Sequence, residues 1–326
     1  MKSESRVTIK DIARFAGVTP QTVSRALSDA PDVSAVTRKR ILEIAKTLNY
    51  VKNTAACTFR GAKTKMIAIF YDNFTNLYFS VMMDYLQREF LRKGYGIIPL
   101  TTQNATLDES AYKKTVSLGT DGIISFLQPE ESISRLVAQY KVPVTVIGRR
   151  TEIANVDCIY TDDEGGGRLA AERLCECGCE NIVFLTETLT LACAADRYNG
   201  LCKRLEELNK RPPRILFHNQ KPLIEQMQEL ADSEEGMPDA VFCFNDMIAF
   251  ELLDLIENNK IPPVKVIGYD AVQNEIKLPK RITSVASNKQ KIAEQAVKLM
   301  LDKAESGKTV STIIKVKVYL SEGTTA

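Results

Sequence analysis

The sequence predicts an all-α helix-turn-helix headpiece followed by a two-lobed α/β core built on parallel sheets. Three observations carry that expectation. The stretch "VTPQTVSRAL" (18–27) sets helix-start signals beside polar side chains suited to reading bases. A strand–helix alternation begins at Met66 and restarts after Asp162. The charge is spread unevenly along the chain.

With 326 residues the chain is long enough for two or three domains with real cores. No apolar run approaches the ~20 residues of a membrane span. The opening "MKSESRVTIK" lacks the apolar core of a signal peptide. A cytoplasmic protein with no membrane partner is therefore expected. Net charge is only +2, yet residues 1–63 hold 12 basic against 5 acidic side chains, and the remainder holds 31 against 36. A basic head on a mildly acidic body points to a polyanionic partner for the head.

In the head, Thr8 and Asp11 begin a first helix, "TIKDIARFA", as a capping-box-like pair, with Ile9, Ile12, Ala13 and Ala16 at helical spacing. "AGV" (16–18) is a tight turn in which Gly17 is free to take positive φ. Thr19 caps the second helix and Pro20 occupies its first position, where a missing N–H costs nothing. That helix buries Val23, Ala26 and Leu27. A third begins near Ser34 or Thr37 and buries Ile41, Ile44, Ala45 and Leu48. Such a core leaves Pro20, Gln21, Thr22 and Arg25 outside. Gln pairs bidentately with adenine and Arg with guanine in the major groove. Thr8, Thr19, Thr22, Ser24, Ser34 and Thr37 are short hydroxyls suited to phosphates, which set register rather than sequence choice. The blander alternative is an ordinary three-helix bundle with polar caps.

The segment "VTIKDIARFAGVTPQTVSRALSDAPDVSAVTRKRILEIAKTLNY" resembles the headpiece of the LacI/GalR family of bacterial transcription regulators, and the likeness continues into "VKNTAACTFRG". The resemblance implies a headpiece over 1–51 and a hinge helix over 52–62 that orders on operator DNA. Asn53, Ala56 and Phe59 occupy the hinge's DNA-contacting places, with Phe59 as the minor-groove wedge where Leu is usual and Lys52 where Pro is usual. Phe is a competent wedge between base steps. A helix of about seven residues is unstable alone in water, so it should fold only with DNA and a partner hinge.

In the body, "MIAIFY", "GIIPL", "GIISF" and "VTVI" read as buried strands, and "NIVFL", "RILF", "AVFC" and "VKVIG" follow after Asp162. Two runs of βαβ units imply two lobes. Here too the chain resembles the family, whose core is periplasmic-binding-protein-like, through "TDGII", "PVTVIGRR", "DDEGGGRLAAERL", "DRYNG", "FNDMIAFELL", "VIGYDA" and "ITSV". The resemblance implies three crossings between lobes. Lobe one then takes about 63–160 and 290–320, lobe two about 161–289, and the whole core 63–326.

A cleft between α/β lobes is a ligand site, because strand carboxyl ends converge there. Carried over by motif, Arg197 and Asp270 lead the effector-binding candidates, Arg as a fork of donors and Asp as an acceptor of hydroxyls. Asn245 and Arg149 come next, and Asn76, Tyr78 and Phe79 supply a polar contact and a stacking wall. For each charged residue the blander reading is an interlobe salt bridge or a helix cap.

Other constellations are set aside. "CECGC" (Cys175, Cys177, Cys179) places thiols two apart, which point about 200° apart in a helix, so small apolar fillers are expected and no metal site. One histidine, His218, leaves no multi-His site and disfavours a His-based triad. "GGGRLA" fits a dinucleotide fingerprint by letter, but Asp162, Asp163 and Glu164 before it would repel a pyrophosphate. In the family this acidic residue caps a helix. The family often carries Arg near its end, where this chain has Glu322. No heptad helix follows the last strand, so a homodimer on a palindromic operator is expected.

The expected function is a ligand-responsive repressor on double-stranded operator DNA, not an enzyme and without cofactor. Its effector is read as a carbohydrate, with a purine or a protein co-regulator as the alternative.

Overall fold

The computed structural model describes residues 7–51, 63–73, 75–307 and 310–326. Two compact units divide at Thr64/Lys65.

The first unit is a three-helix cluster: α1 (Ile9–Ala16), α2 (Pro20–Ala26) and α3 (Ala35–Thr47). Local chemistry sets each boundary. The Thr8 backbone N–H and hydroxyl both donate to Asp11 Oδ2, at 2.9 and 2.6 Å. Gly17 ends α1 at φ +64°, a conformation that costs glycine nothing. Thr19 Oγ1 accepts from the Thr22 N–H and Ser34 Oγ from the Thr37 N–H, each at 3.2 Å. Ile12, Ala13, Ala16, Val23, Ala26, Val33, Ile41 and Ala45 close the core. Leu27, Ile44 and Leu48 pack against it half-buried.

The second unit opens with β1 (Met66–Phe70), α4 (Leu77–Arg92), β2 (Gly96–Leu100), β3 (Thr106–Leu107), α5 (Glu109–Ser117), β4 (Gly122–Ser125), β5 (Gln128–Pro129), α6 (Ser132–Tyr140), β6 (Val144–Ile147) and β7 (Val156–Thr161). It continues through α7 (Asp163–Glu176), β8 (Ile182–Thr186), α8 (Ala192–Glu207), β9 (Arg214–Phe217), α9 (Leu223–Ala231), β10 (Ala240–Cys243), α10 (Asp246–Glu257), β11 (Lys265–Tyr269) and β12 (Thr283–Ser287). It closes with α11 (Lys289–Ser306), β13 (Ile313–Val316) and β14 (Val318–Ser321).

Two six-stranded sheets result, ordered β13-β7-β6-β4-β1-β2 and β14-β12-β11-β10-β8-β9. Within them only β14 runs antiparallel to its neighbour. Strand alternation serves two buried faces, as parallel sheets require. In β1, Ile67 and Ile69 face α4 and α11, while Ala68 and Phe70 face α5 and α6. The second sheet repeats this, with α7 and α8 on one face and α9 and α10 on the other.

The chain crosses between sheets after β7, after β12 and between β13 and β14. The resemblance put residues up to about 320 in the first lobe, but the apolar run "TIIKVKVYL" is broken at Lys317. Its second half pairs with β12, so residues 318–321 sit in the second sheet. Alternating β-branched residues look the same on either side of the break, and only the two sheet edges distinguish them. Glu322 follows and pairs with Arg173 of α7.

The glycines of "GGGRLA" lie inside α7, not in a phosphate loop, and Asp162 caps that helix by accepting from the Gly165 N–H at 3.1 Å. They permit close approach. A Cβ on Gly166 would come within 2.7 Å of the Tyr269 ring. One on Gly167 would overlap the Arg197 carbonyl of α8, and one on Gly200 the Glu164 carbonyl of α7. Backbone cannot yield as a side-chain tip can, so Gly167→Ala should lower stability by about 1–3 kcal/mol or more. Urea denaturation should then show a lower midpoint with an unchanged slope. An unchanged midpoint would contradict the close helix contact.

Candidate functional site

In the headpiece, Gln21 and Arg25 stand exposed one turn apart on α2, beside exposed Pro20. Thr19 and Thr22 hydroxyls bond each other at 2.9 Å, and Ser34 and Thr37 at 2.8 Å; with Thr8, the N-cap of α1, five of the six hydroxyls singled out from sequence sit at helix starts. Thr8 is tied to Asp11, and Ser24 lies half-buried on α2. One contact was not foreseen. Arg25 is held in a two-pronged ion pair by Asp32, Nε at 3.0 Å and Nη2 at 2.6 Å. The guanidinium fork nominated from sequence is thus occupied within the headpiece by a half-exposed carboxylate, a solvated pair of small energetic weight. Arg38 braces the same loop, donating to the Ala30 and Val33 carbonyls and pairing with Asp29. Asn53, Ala56 and Phe59 lie outside the described residues.

In the second unit, a cavity opens where the two sheets present their carboxyl ends. It is lined by Asn76, Tyr78, Phe79, Arg149, Arg197, Asn245 and Asp270, the seven side chains nominated from sequence. Phe126, Ile147, Gly148, Thr161, Cys193, Phe244 and Ser287 complete it and were not nominated. Each ends or follows a strand or begins a helix, which is the positional signal that finds them. Thr161 and Ser287 end β7 and β12, two of the three strands after which the chain changes lobe.

Arg197 is the most constrained of these side chains. Its Nε donates to Asp163 Oδ1 at 2.9 Å and its Nη1 to the Phe244 carbonyl at 2.5 Å. The guanidinium carbon lies 3.4 Å from the Tyr269 ring centre and 4.7 Å from that of Phe244. Asp163, read from sequence as a cap, is the counter-ion; Asp162 makes the cap. Thr161 Oγ1 also donates to Asp163 Oδ1, at 3.1 Å. Aromatic faces on a guanidinium preserve its charge at little desolvation cost.

The two asparagines each spend one oxygen on helix caps. Asn76 accepts from the Tyr78 N–H and Asn245 from the Ile248 N–H. Those two oxygens are therefore taken up by helix caps. Arg149 bridges the cleft instead: Nε donates to the Phe126 carbonyl at 3.3 Å, and Nη1 approaches Cys193 Sγ at 3.0 Å. Arg150 pairs across it with Asp196 at 3.5 Å.

Asp270 sits on a strained corner, with φ +98° there and +48° at Ala271. Such conformations cost of order 1–3 kcal/mol each and persist where surroundings enforce them. Here buried Asp246 enforces them, accepting from the Ser284 hydroxyl at 2.6 Å and the Val272 N–H at 2.8 Å. The Asp270 carboxylate itself accepts no hydrogen bond from a described residue. Burial pushes its pKa up to about 7, against the partial relief of Arg197. Tyr78 is also pushed up, first by burial and then by the Asp270 charge.

Cys175, Cys177 and Cys179 run from half-buried through exposed to buried at the end of α7. Among the described residues no cluster of three metal-ligating side chains occurs. None of the described helices is long and apolar enough to cross a membrane.

A helix-turn-helix unit with an exposed Gln/Arg face, joined to a two-lobed cavity-bearing core, defines a DNA-binding, ligand-controlled regulator. Comparison with known proteins agrees. Residues 8–53 match "Bacterial regulatory proteins, lacI family", and residues 171–325 match "Periplasmic binding protein-like domain". The chain thus carries a lacI-family helix-turn-helix segment ahead of a periplasmic-binding-protein-like domain. Curated relatives include "HTH-type transcriptional repressor PurR" of Aliivibrio salmonicida, 25% identical over 91% of this chain and 92% of the relative. The protein of that name from Vibrio cholerae is 28% identical over 91% of each. Among solved structures, the lac repressor dimer bound to operator and the anti-inducer ONPF shares the fold at TM-score 0.80, with 20% identity over 98% of this chain and 99% of that one. A LacI family regulator from Enterococcus faecium with bound ribose gives TM-score 0.71 and 19% identity over 80% and 98%.

The raised pKa of Asp270 has a stability consequence. Its ordinary value is 3.8 and its folded value about 7. Between roughly pH 4 and pH 7 the folded chain keeps a proton that the unfolded chain has released, so stability falls as pH rises through that window. Asp270→Asn cannot ionise. Its melting temperature should gain on the wild type from pH 5 to pH 8, and a gap independent of pH would contradict the burial of this carboxyl.

Proposed function

We propose that the chain is a repressor whose homodimer binds an inverted-repeat operator and is controlled by a small hydroxylated molecule, carbohydrate in class, held in the interlobe cavity. Seven side chains nominated by motif line one cavity, and this observation carries the reading. The carboxylate of Asp270 is an acceptor for ligand hydroxyls. The second amide atom of Asn76 and Asn245 remains available beyond their caps. Tyr78, Phe79 and Phe244 put aromatic surface in the cavity lining, suited to an apolar sugar face. Cellobiose and ribose are the ligands of two structures that share the fold.

A purine is the second reading. The curated relatives are named PurR, and flat aromatic walls also suit a heterocycle.

On the DNA side, Gln21 and Arg25 read bases from the major groove, the hydroxyls at helix starts take phosphates, and Asn53, Ala56 and Phe59 act at the operator centre. Ligand in the cleft touches Thr161 and Ser287 beside the crossings, and so biases the orientation of one lobe against the other. A coupling of ~1–3 kcal/mol changes operator affinity 5- to 150-fold.

The test is thermal stabilisation of the full chain by a panel of sugars and purines, followed by operator binding with each hit. Ligand at 100 times its Kd adds about 2.7 kcal/mol. A sugar hit that alters operator affinity supports the reading; a purine hit alone replaces it with the second. Separately, Arg25→Ala should cost about 1–3 kcal/mol at one operator position and relax preference there. Selection from a randomised operator library measures this, and unchanged preference would remove Arg25 from the reading set.

A further inference from the structure

The charges around the cavity are not all matched. Arg197 is answered by Asp163 at 2.9 Å, and Arg150 by Asp196 at 3.5 Å. Arg149 lines the cavity beside them and makes no ion pair with a described residue. Its two contacts are the Phe126 carbonyl oxygen and the Cys193 sulfur, and neither is a carboxylate. The cavity's one carboxylate outside an ion pair, Asp270, is pushed by burial to a pKa of about 7 and so is partly protonated near neutrality. The remaining polar lining, from Asn76, Thr161, Asn245 and Ser287, is uncharged. A half-buried guanidinium without a counter-ion is a planar fork of donors matched to a carboxylate or a phosphate.

We infer that the cleft's ligand carries an anionic group, carboxylate or phosphate, which Arg149 receives, on a hydroxylated body held by the rest of the cavity. The inference rests on the reading of the cavity as the effector site. It narrows the class to sugar acids and sugar phosphates. Because Arg149 already reaches from Phe126 in the first lobe to Cys193 in the second, an anion on it would tie both lobes to the ligand.

The test uses matched neutral and anionic probes on the full chain: glucose against gluconate, galactose against galacturonate, ribose against ribose 5-phosphate, and fructose against fructose 6-phosphate. Titration calorimetry reads affinity for wild type, Arg149→Gln and Arg149→Lys. In the pair that binds, the anionic member should bind at least tenfold tighter than its neutral partner. Arg149→Gln should erase that preference and Arg149→Lys should keep part of it. Which anionic probe binds separates the carboxylate from the phosphate. A neutral member that binds as tightly, or an anion whose affinity ignores Arg149→Gln, would overturn the inference and leave Arg149 as an interlobe clamp, with the small-molecule reading standing. Failure of every probe to bind a chain that still binds operator would overturn both.

Discussion

The core turns on one buried ion pair. Arg197 and Asp163 join the first turn of α7 to the middle of α8, and the guanidinium is held against Tyr269 and Phe244. A buried pair is weak evidence of net stability, but removing one partner strands the other charge, at about 3–5 kcal/mol. Close helix approach at Gly167 and Gly200 brings the two residues together, and Gly166 makes room for the Tyr269 ring. Arg197 also binds the Phe244 carbonyl, next to the asparagine that caps α10. The second lobe's cavity wall is thus positioned by contacts that meet on a single side chain.

Around that pivot the cavity collects residues from both lobes and from the chain segments between them. Thr161 contacts Asp163 and ends the strand before the first crossing; Ser287 ends the strand before the second. Arg149 and Arg150 reach across from the first lobe. Buried Lys289 begins α11 just after the second crossing and pairs with Glu275 of the second lobe at 3.2 Å. On the proposed function a ligand here touches groups of both lobes and of the segments joining them, and a ligand shifts a population only through contacts that differ between states.

Much of this was readable in the sequence where the cause is local. Thr19, Pro20 and Ser34 set helix starts through neighbours within three residues, and the structure puts α2 and α3 where they indicate. Strand identity followed from apolar runs, and the cavity-lining residues from motifs at strand ends. What escaped depends on distant partners. Asp32 reaches Arg25 only after the loop folds back under Arg38. Asp163 meets Arg197 across 34 positions. The break at Lys317 is dictated by two sheet edges rather than by its own residue type. The glycine run was read first by its letters, whereas the helix packed against it decides its role.

The central claim is that the Arg197 pivot is part of a ligand switch rather than only a structural brace. The decisive measurement is ligand-dependent operator affinity for the double replacement Asp163→Asn with Arg197→Gln, which removes both charges together and strands neither. The expected result is a folded chain that binds operator with the wild-type salt dependence but no longer changes affinity when the stabilising ligand is added. A full ligand response in that variant would contradict it and reduce the pair to packing.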